Sequence, residues 1–294
     1  MSVGDNKTSV LGSNKTISAT KPKRRKTLWV EVLGFIVAAI FFGIPSYFVF
    51  INSMKSPGEA AELTLAWPSA FEFVANYSEV ISANNYRLLL AFFNSTVITV
   101  VTIIILIIIC SMAAFVLARR ESAKKLNYLV LIGLMIPPAI VPTIWVLQSM
   151  GLFATMPGII FIETALRFSF ACILYRAFVA TIPRELDEAA LIDGCGPLRL
   201  FFQIIFPLLK PVTATIIVLS SIQVYNDFEN MLYFFPGADN ATVQLTLYNY
   251  MGMFGTSYHL LFANVILIAI PPLILFIFFN KRIVAGMTAG AVKG

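Results

Sequence analysis

Apolar residues fall along this chain in six long runs, 29–51, 89–117, 126–150, 158–178, 212–235 and 260–280, separated by shorter polar stretches. A helix rises about 1.5 Å per residue, so roughly 20 apolar residues cover the ~30 Å hydrocarbon core of a bilayer. The pattern predicts an all-α polytopic membrane protein with six transmembrane helices. Ahead of the first run, residues 1–27 are rich in Ser, Thr, Asn and Lys and end in Lys21-Pro22-Lys23-Arg24-Arg25-Lys26. Such a segment buries too little apolar surface to offset the entropy of ordering, so a disordered basic tail is expected over 1–27. The run behind it is too long for a signal peptide and ends in no small-residue cleavage site, so it reads as a retained first span. The rest, 28–294, is expected to form one six-helix transmembrane domain with a C-terminal tail at 281–294.

Charge adds an orientation. Of the 21 Lys and Arg residues, 17 lie in the N-terminal tail, in 118–125, in 179–211 and beyond the last run; the alternate gaps hold only Lys55 and Arg87, and Arg167 and Arg176 fall inside a run. Cytoplasmic loops carry the excess of Lys and Arg, so both termini and the stretch 184–211 are expected in the cytoplasm. With 59% hydrophobic and 12% charged residues and a mean hydropathy of +0.85, an ordinary soluble domain is excluded. The net charge of +6 comes from residues flanking apolar runs, not from a gathered surface. Lipid, and no nucleic acid, is the partner this implies. Cys110, Cys172 and Cys195 have no metal or redox spacing and His259 has no companion ligand nearby, so no metal site is expected.

Between the fourth and fifth runs lies a polar-containing break, 184–211, whose first ten residues include Arg184, Glu185, Asp187, Glu188 and Asp193. Pro183 suits a first helical position, and the acids then occupy the opening turns, where the helix dipole favours them. Gly194 can close the helix in the left-handed conformation. Pro197 can open a second short helix that Pro207 and Pro211 interrupt. A surface helix–turn–helix follows, with acidic and small residues outward and an apolar ridge (Leu200, Phe201, Ile204, Ile205) turned to its own protein. The segment resembles the cytoplasmic loop of bacterial ABC importer permeases: Glu188-Ala189-Ala190, three residues, Gly194, nine residues, then Ile204-Ile205-Phe206-Pro207, with Phe206 in place of the pattern's leucine. The resemblance implies the type I ABC importer permease fold in a bacterial plasma membrane. It also implies that Glu185, Glu188, Ala189, Ala190, Asp193, Gly194 and Pro207 form a coupling helix docked on an ATP-hydrolysing subunit.

Polar residues inside the apolar runs are costly and tend to face a bundle interior or an aqueous path. Glu163 and Arg167, four apart, share a helix face and can pair. Gln223, Tyr225, Asn226, Asp227 and Glu229 close the fifth run, Asn264 sits in the sixth, and Asn94 to Thr96 and Gln148 lie in the second and third. Glu163, Arg167, Gln223, Tyr225, Asn226, Asp227 and Asn264 are the candidate substrate pathway; the same residues can instead hold helices together. Pro137, Pro138, Pro142, Pro271 and Pro272 are expected to bend the third and sixth spans. External aromatics such as Tyr248, Tyr250 and Tyr258, with Glu59, Glu62, Glu72 and Glu79, serve equally as interface anchors or as a docking face.

Tyr225-Asn226-Asp227-Phe228 is similar to a fifth-span segment of carbohydrate importer permeases, and the tail Ala285–Gly294 resembles the ending of the maltose-type subfamily's second permease subunit. That resemblance implies a second homologous permease, two ATP-binding subunits, an extracytoplasmic substrate-binding protein and a sugar cargo. It would place Ala289, Gly290 and Lys293 against the ATPases as a slim, flexible peptide. No Gly-x-x-x-x-Gly-Lys-Ser/Thr loop occurs in the chain, so ATP and Mg are expected on partner subunits and the chain itself is expected to be non-catalytic. An ion-coupled secondary transporter is the alternative that Glu163, Arg167 and Asp227 would support; the absence of a visible inverted repeat weighs against it.

Overall fold

The computed structural model describes residues 24–237, 239–252 and 255–291, with side chains from 28 to 279 apart from Lys124. Residues 1–23 of the expected tail, and Lys293, lie outside the described residues. The chain divides into two units, 1–47 and 48–294.

The first unit holds α1 (Arg24–Ala38), a π turn (Ala39–Gly43) and the start of α2 (Ile44–Asn52), which ends in the second. The expected boundary at residue 27 is corrected: the helix begins at Arg24, because Arg and Lys are good helix formers and prolong the apolar helix behind them. Trp29, Phe35, Phe41 and Phe42 are all exposed, the all-round apolar surface of a lipid-facing helix. Leu28–Asn52 gives 25 residues, or about 37 Å.

In the second unit α3 (Pro57–Ala61) is followed by α4 (Phe73–Arg119). Within α4 the backbone breaks at 83–86, where Asn84, Asn85 and Tyr86 take positive φ. Asn tolerates that conformation best among residues with a Cβ, and the break separates a short helix from the second span. α5 (Lys124–Met135) and α6 (Ile140–Ser149) follow. They correct the third span, 126–150: it is two helices bent by 117°. Pro137 and Pro138 fill the break, and a proline holds the residue before it, here Ile136 with ψ 119°, out of the helical region.

α7 (Met156–Val179) is capped by Thr155, whose hydroxyl accepts the Gly158 N–H at 3.2 Å. A Cβ at Gly158 would lie 2.0 Å from the Leu152 carbonyl oxygen, so only glycine fits this entry. After α8 (Glu185–Ile192) comes a helical run, Pro197–Leu208, made of α9 (Pro197–Arg199), a π turn (Leu200–Ile205) and α10 (Phe206–Leu208). Pro207 does not interrupt this run, contrary to expectation. A proline ring would strike the carbonyl four residues back in a regular helix. The π turn widens the preceding turn, with the Phe206 N–H reaching the Phe201 carbonyl, and makes room for the ring.

The chain bends by 74° at Leu209 into α11 (Lys210–Tyr225). The fifth span, expected over 212–235, stops at Tyr225; Asn226 to Phe228 form a break before α12 (Glu229–Phe234). α11 has 16 residues, about 24 Å, short of a bilayer core by itself. A two-residue hairpin, β1 (Met251–Gly252) paired antiparallel with β2 (Gly255–Thr256), is the one departure from all-α among the described residues. α13 (Tyr258–Ala291) carries Pro271 and Pro272 without a break. It also corrects the expected flexible C-terminal peptide: the backbone is helical as far as Ala291, through Ala289 and Gly290. The segment has no proline to stop a helix.

Among the described residues four helices are long and apolar enough to cross a membrane, and up to six spans result if each of two bent pairs is counted as one. α4 packs along α7 and touches α11 and α13. One core, around Cys110, Cys172, Tyr175, Phe201, Ile205 and Leu209, lies beside α8. A second joins Val80, Leu88, Tyr225, Val243 and Ala263, and a third joins Ile98, Leu147, Ile159, Phe234 and Phe235.

Candidate functional site

Two places bring candidate residues together, one at each end of this helical framework. At the first, α8 is a short helix with strong local determinants. Glu185, Asp187 and Glu188 occupy its first turn, where backbone N–H groups lack helical partners and the dipole favours negative charge. Arg184 takes the N-cap and Pro183 precedes it, so Pro183 is not the first helical residue as expected. The helix ends in a paired closure: Cys195 N–H donates to the Ala190 carbonyl at 2.9 Å and Gly194 N–H to Leu191 at 3.1 Å, with Gly194 at φ +73°. This is the Schellman arrangement, which requires a left-handed residue at Gly194.

Glu185, Glu188, Ala189, Asp193, Gly194 and Pro207 are exposed. Ala190 is not: it is 4% exposed and sits in the core beside Phe201 and Ile205, so only Ala189 of the pair offers close approach from outside. The ridge is confirmed, with Leu200, Phe201 and Ile205 buried and Ile204 packed against them. The outward face is also more apolar than the motif indicates. Leu191, Leu198 and above all Ile192, 85% exposed, project from α8 and its turn.

Sequence reasoning missed the tether beneath α8. Arg119, the last residue of α4, places its Nε 2.6 Å from Asp187 Oδ2 as an ion pair. Its Nη2 donates to Asp187 Oδ1 at 3.4 Å and to the Ile182 carbonyl at 3.1 Å. Arg119 and Asp187 are 68 positions apart, and no local spacing links them.

The second place is where α7 meets the break after α11. Arg167 forms an ion pair with Glu163 Oε2 and another, at 3.1 Å, with Asp227 Oδ2. The Glu163 contact is an ion pair without an aligned hydrogen bond, and Glu163 Oε1 has no hydrogen-bond partner at all, although the residue is 0% exposed. Asp227 also closes the first turn of α12, accepting from Asn230 N–H at 2.9 Å and Asn230 Nδ2 at 2.7 Å. Three expected pathway residues thus form one network, and Asn230, unsuspected from the sequence, completes it. Beside it Asn226 is exposed and accepts from Gln244 Nε2 at 2.9 Å, and Phe228 stacks on Tyr248 with ring centroids 5.2 Å apart. Gln223 is exposed as well.

Asn264 does not belong to this place. It is 0% exposed, and its amide donates to Thr246 Oγ1 at 2.8 Å, tying α13 to the loop before it. Asn94 and Ser95 have the same holding role: Asn94 donates to the Asp239 and Ala241 carbonyls, and Ser95 accepts the Val243 N–H. Tyr225 is buried, its hydroxyl without a partner, on the wall of a cleft of about 130 Å³ that Thr99, Ser221, Pro271 and Pro272 also line. A larger apolar cleft of about 470 Å³ between α4 and α7 offers only Thr164 as a polar group, and that hydroxyl already donates to the Ile160 carbonyl.

A profile of the family described as "Binding-protein-dependent transport system inner membrane component" matches residues 111–289. The chain is 36% identical over 272 residues to the melibiose/raffinose/stachyose import permease protein MelC of Bacillus subtilis, covering 90% of this chain and 96% of that protein. It is 29% identical over 264 residues to the diacetylchitobiose uptake system permease protein NgcG of Streptomyces coelicolor, covering 88% and 86%. Its fold matches a chain in the crystal structure of a bacterial ABC transporter involved in the import of the acidic polysaccharide alginate, with a TM-score of 0.74, 18% identity and coverage of 87% and 95%. That last likeness speaks for the fold alone.

Proposed function

The chain belongs to the binding-protein-dependent transport system inner membrane components, and from that premise we propose that it is the permease subunit of an ATP-driven importer of a neutral di- or oligosaccharide. Membership in this family argues against the ion-coupled secondary transporter. The observation that carries the mechanism is α8: a capped helix with an apolar and acidic outward face and a closed C-terminus, standing at the end of a membrane bundle. In this reading α8 docks on an ATP-binding subunit on the cytoplasmic side, where both termini also lie. A second, related permease completes the pathway, six spans cross the membrane when the broken helices are counted as spans, and an extracytoplasmic binding protein delivers the sugar. Nucleotide and Mg belong to the two ATP-binding subunits. Ala289 and Gly290, at the end of α13, would reach toward them, as would Lys293, which lies outside the described residues.

Two states must differ in affinity for nucleotide and for cargo for ATP to move the equilibrium. Closure of the ATP-binding subunits displaces α8, and the helices joined to it reorient. Support for a neutral cargo comes from the exposed amides of Gln223 and Asn226 and the half-buried amide of Gln244, beside a buried network with two carboxylates to one guanidinium. Amides and aromatic faces suit hydroxyl-rich sugars, and the carboxylates disfavour a polyanion. The printed cargo of the 36% identical relative makes raffinose the first probe. Deleting the chain in its own host is expected to lower uptake of radiolabelled raffinose by about tenfold or more, with restoration by the intact gene. Undiminished raffinose uptake, with loss of diacetylchitobiose uptake instead, would reassign the cargo within the same class.

A further inference from the structure

Of the eight residues of α8, only Asp187 and Ala190, three apart, turn away from solvent. Ala190 contributes a methyl group to the core, so among the described residues Asp187 is the one polar side-chain attachment of this helix to the membrane bundle. The group that receives it stands at a junction. Arg119 is the last residue of α4, and its guanidinium holds both oxygens of Asp187 and the carbonyl of Ile182, in the segment that leaves α7. Arg119 and Asp187 are largely buried, with 12% and 15% of their side chains exposed. Arg120, next in sequence, is exposed. A planar guanidinium with several donors can hold two acceptors in fixed directions, which a lysine ammonium cannot do.

The geometry points to Arg119 as a positioning residue that transmits displacement of α8 to the cytoplasmic end of α4 and, through Ile182, to the exit of α7. This rests on the proposed docking of α8 on an ATP-binding subunit. α4 packs along α7 and also touches α11 and α13, so a pull on its last turn reaches the helices that carry Arg167, Tyr225 and Asn264. Without the guanidinium, α8 would still be held by its covalent links and Ala190, and would move without taking α4 with it.

The test uses the native complex, captured through a tag on this chain, and follows hydrogen–deuterium exchange with and without MgATP and vanadate. In the unaltered complex, exchange in α8 and in 113–120 is expected to slow together by about tenfold on closure, the scale of a typical coupling between sites. Arg119→Ala is expected to keep the response of α8 and lose that of 113–120. Arg119→Lys should restore part of it, and the exchanged pair Arg119→Asp with Asp187→Arg more, while Arg120→Ala leaves it unchanged. Should Arg119→Ala fail to assemble, Asp187→Asn removes the charge without altering shape and carries the same expectation. An undiminished response of 113–120 in Arg119→Ala or Asp187→Asn overturns the inference. A wild-type α8 that shows no response to nucleotide instead overturns the docking reading on which it rests.

Discussion

The α8 end and the Glu163–Arg167–Asp227 end each join separate elements through one arginine, yet they are built in opposite ways. At α8 one guanidinium meets one carboxylate and a backbone carbonyl, the pair is buried to the same degree as Arg167 and Asp227, and apolar side chains beside it project outward. At the other end one guanidinium meets two carboxylates, one of them 0% exposed and without an aligned hydrogen bond. The first is balanced within itself and unfinished toward a partner. The second is enclosed and unfinished within itself. In the proposed function α8 is a lever, which has to be held firmly and left open on one face, whereas a network inside the bundle has to keep its helices in register.

The contrast breaks most visibly at Arg167. Arg167→Ala leaves two neighbouring carboxylates without their cation in a largely buried place, and removing one partner of a buried pair costs about 3–5 kcal/mol. A sharp fall in the yield of monodisperse protein and in its thermal midpoint in detergent is expected. Glu163→Gln leaves a one-to-one pair of Arg167 and Asp227 and is expected to change the midpoint little; equal losses from both variants would contradict the account of the network. Next in size is Gly194→Val. A β-branched residue at φ +73° costs at least about 1–2 kcal/mol of local strain and opens the closure of α8. Membrane insertion is expected to persist while uptake per ATP hydrolysed falls by about tenfold or more. Smallest in stability is Ile192→Asp. An exposed substitution changes stability by about 0.5 kcal/mol or less, so the midpoint should hold while recovery of the ATP-binding subunit in pull-downs drops.

These two regions were also unequally legible in the sequence. Nearly everything about α8 is local: an acidic first turn, a glycine where a left-handed residue is needed, and an apolar ridge at helical spacing. Its local pattern also misled. The two alanines look equivalent in sequence, but α8 turns Ala190 inward and Ala189 outward, and the inward direction is set by the packing of the run behind it. Pro207 looked like a breaker because the π turn that accommodates it has no sequence signature of its own. For the network, the four-residue spacing of Glu163 and Arg167 announced their pairing. Asp227 joins them from 60 positions away, which only the packing of α11 and α12 against α7 can supply. Asn264 was misplaced for the same reason: a polar residue in an apolar run does not say whether it faces a pathway or a neighbouring loop.

The third and fifth spans carry the same lesson. Hydropathy reads 126–150 and 212–235 as continuous, but backbone geometry breaks the first at Pro137-Pro138 and the second at Asn226. The second break is the one that releases Asp227 from helical geometry to cap α12 and meet Arg167. Residues first noted for their polarity thus owe their position to the place where the helix stops.

The most direct test of the central claim is capture of the tagged chain from its native membranes in mild detergent, with mass spectrometry of what accompanies it. Recovery of a second permease together with a protein bearing a Gly-x-x-x-x-Gly-Lys-Ser/Thr loop, the latter reduced by Ile192→Asp, is the predicted result. Recovery of the chain alone or only with copies of itself, unaffected by changes on α8, would contradict the account.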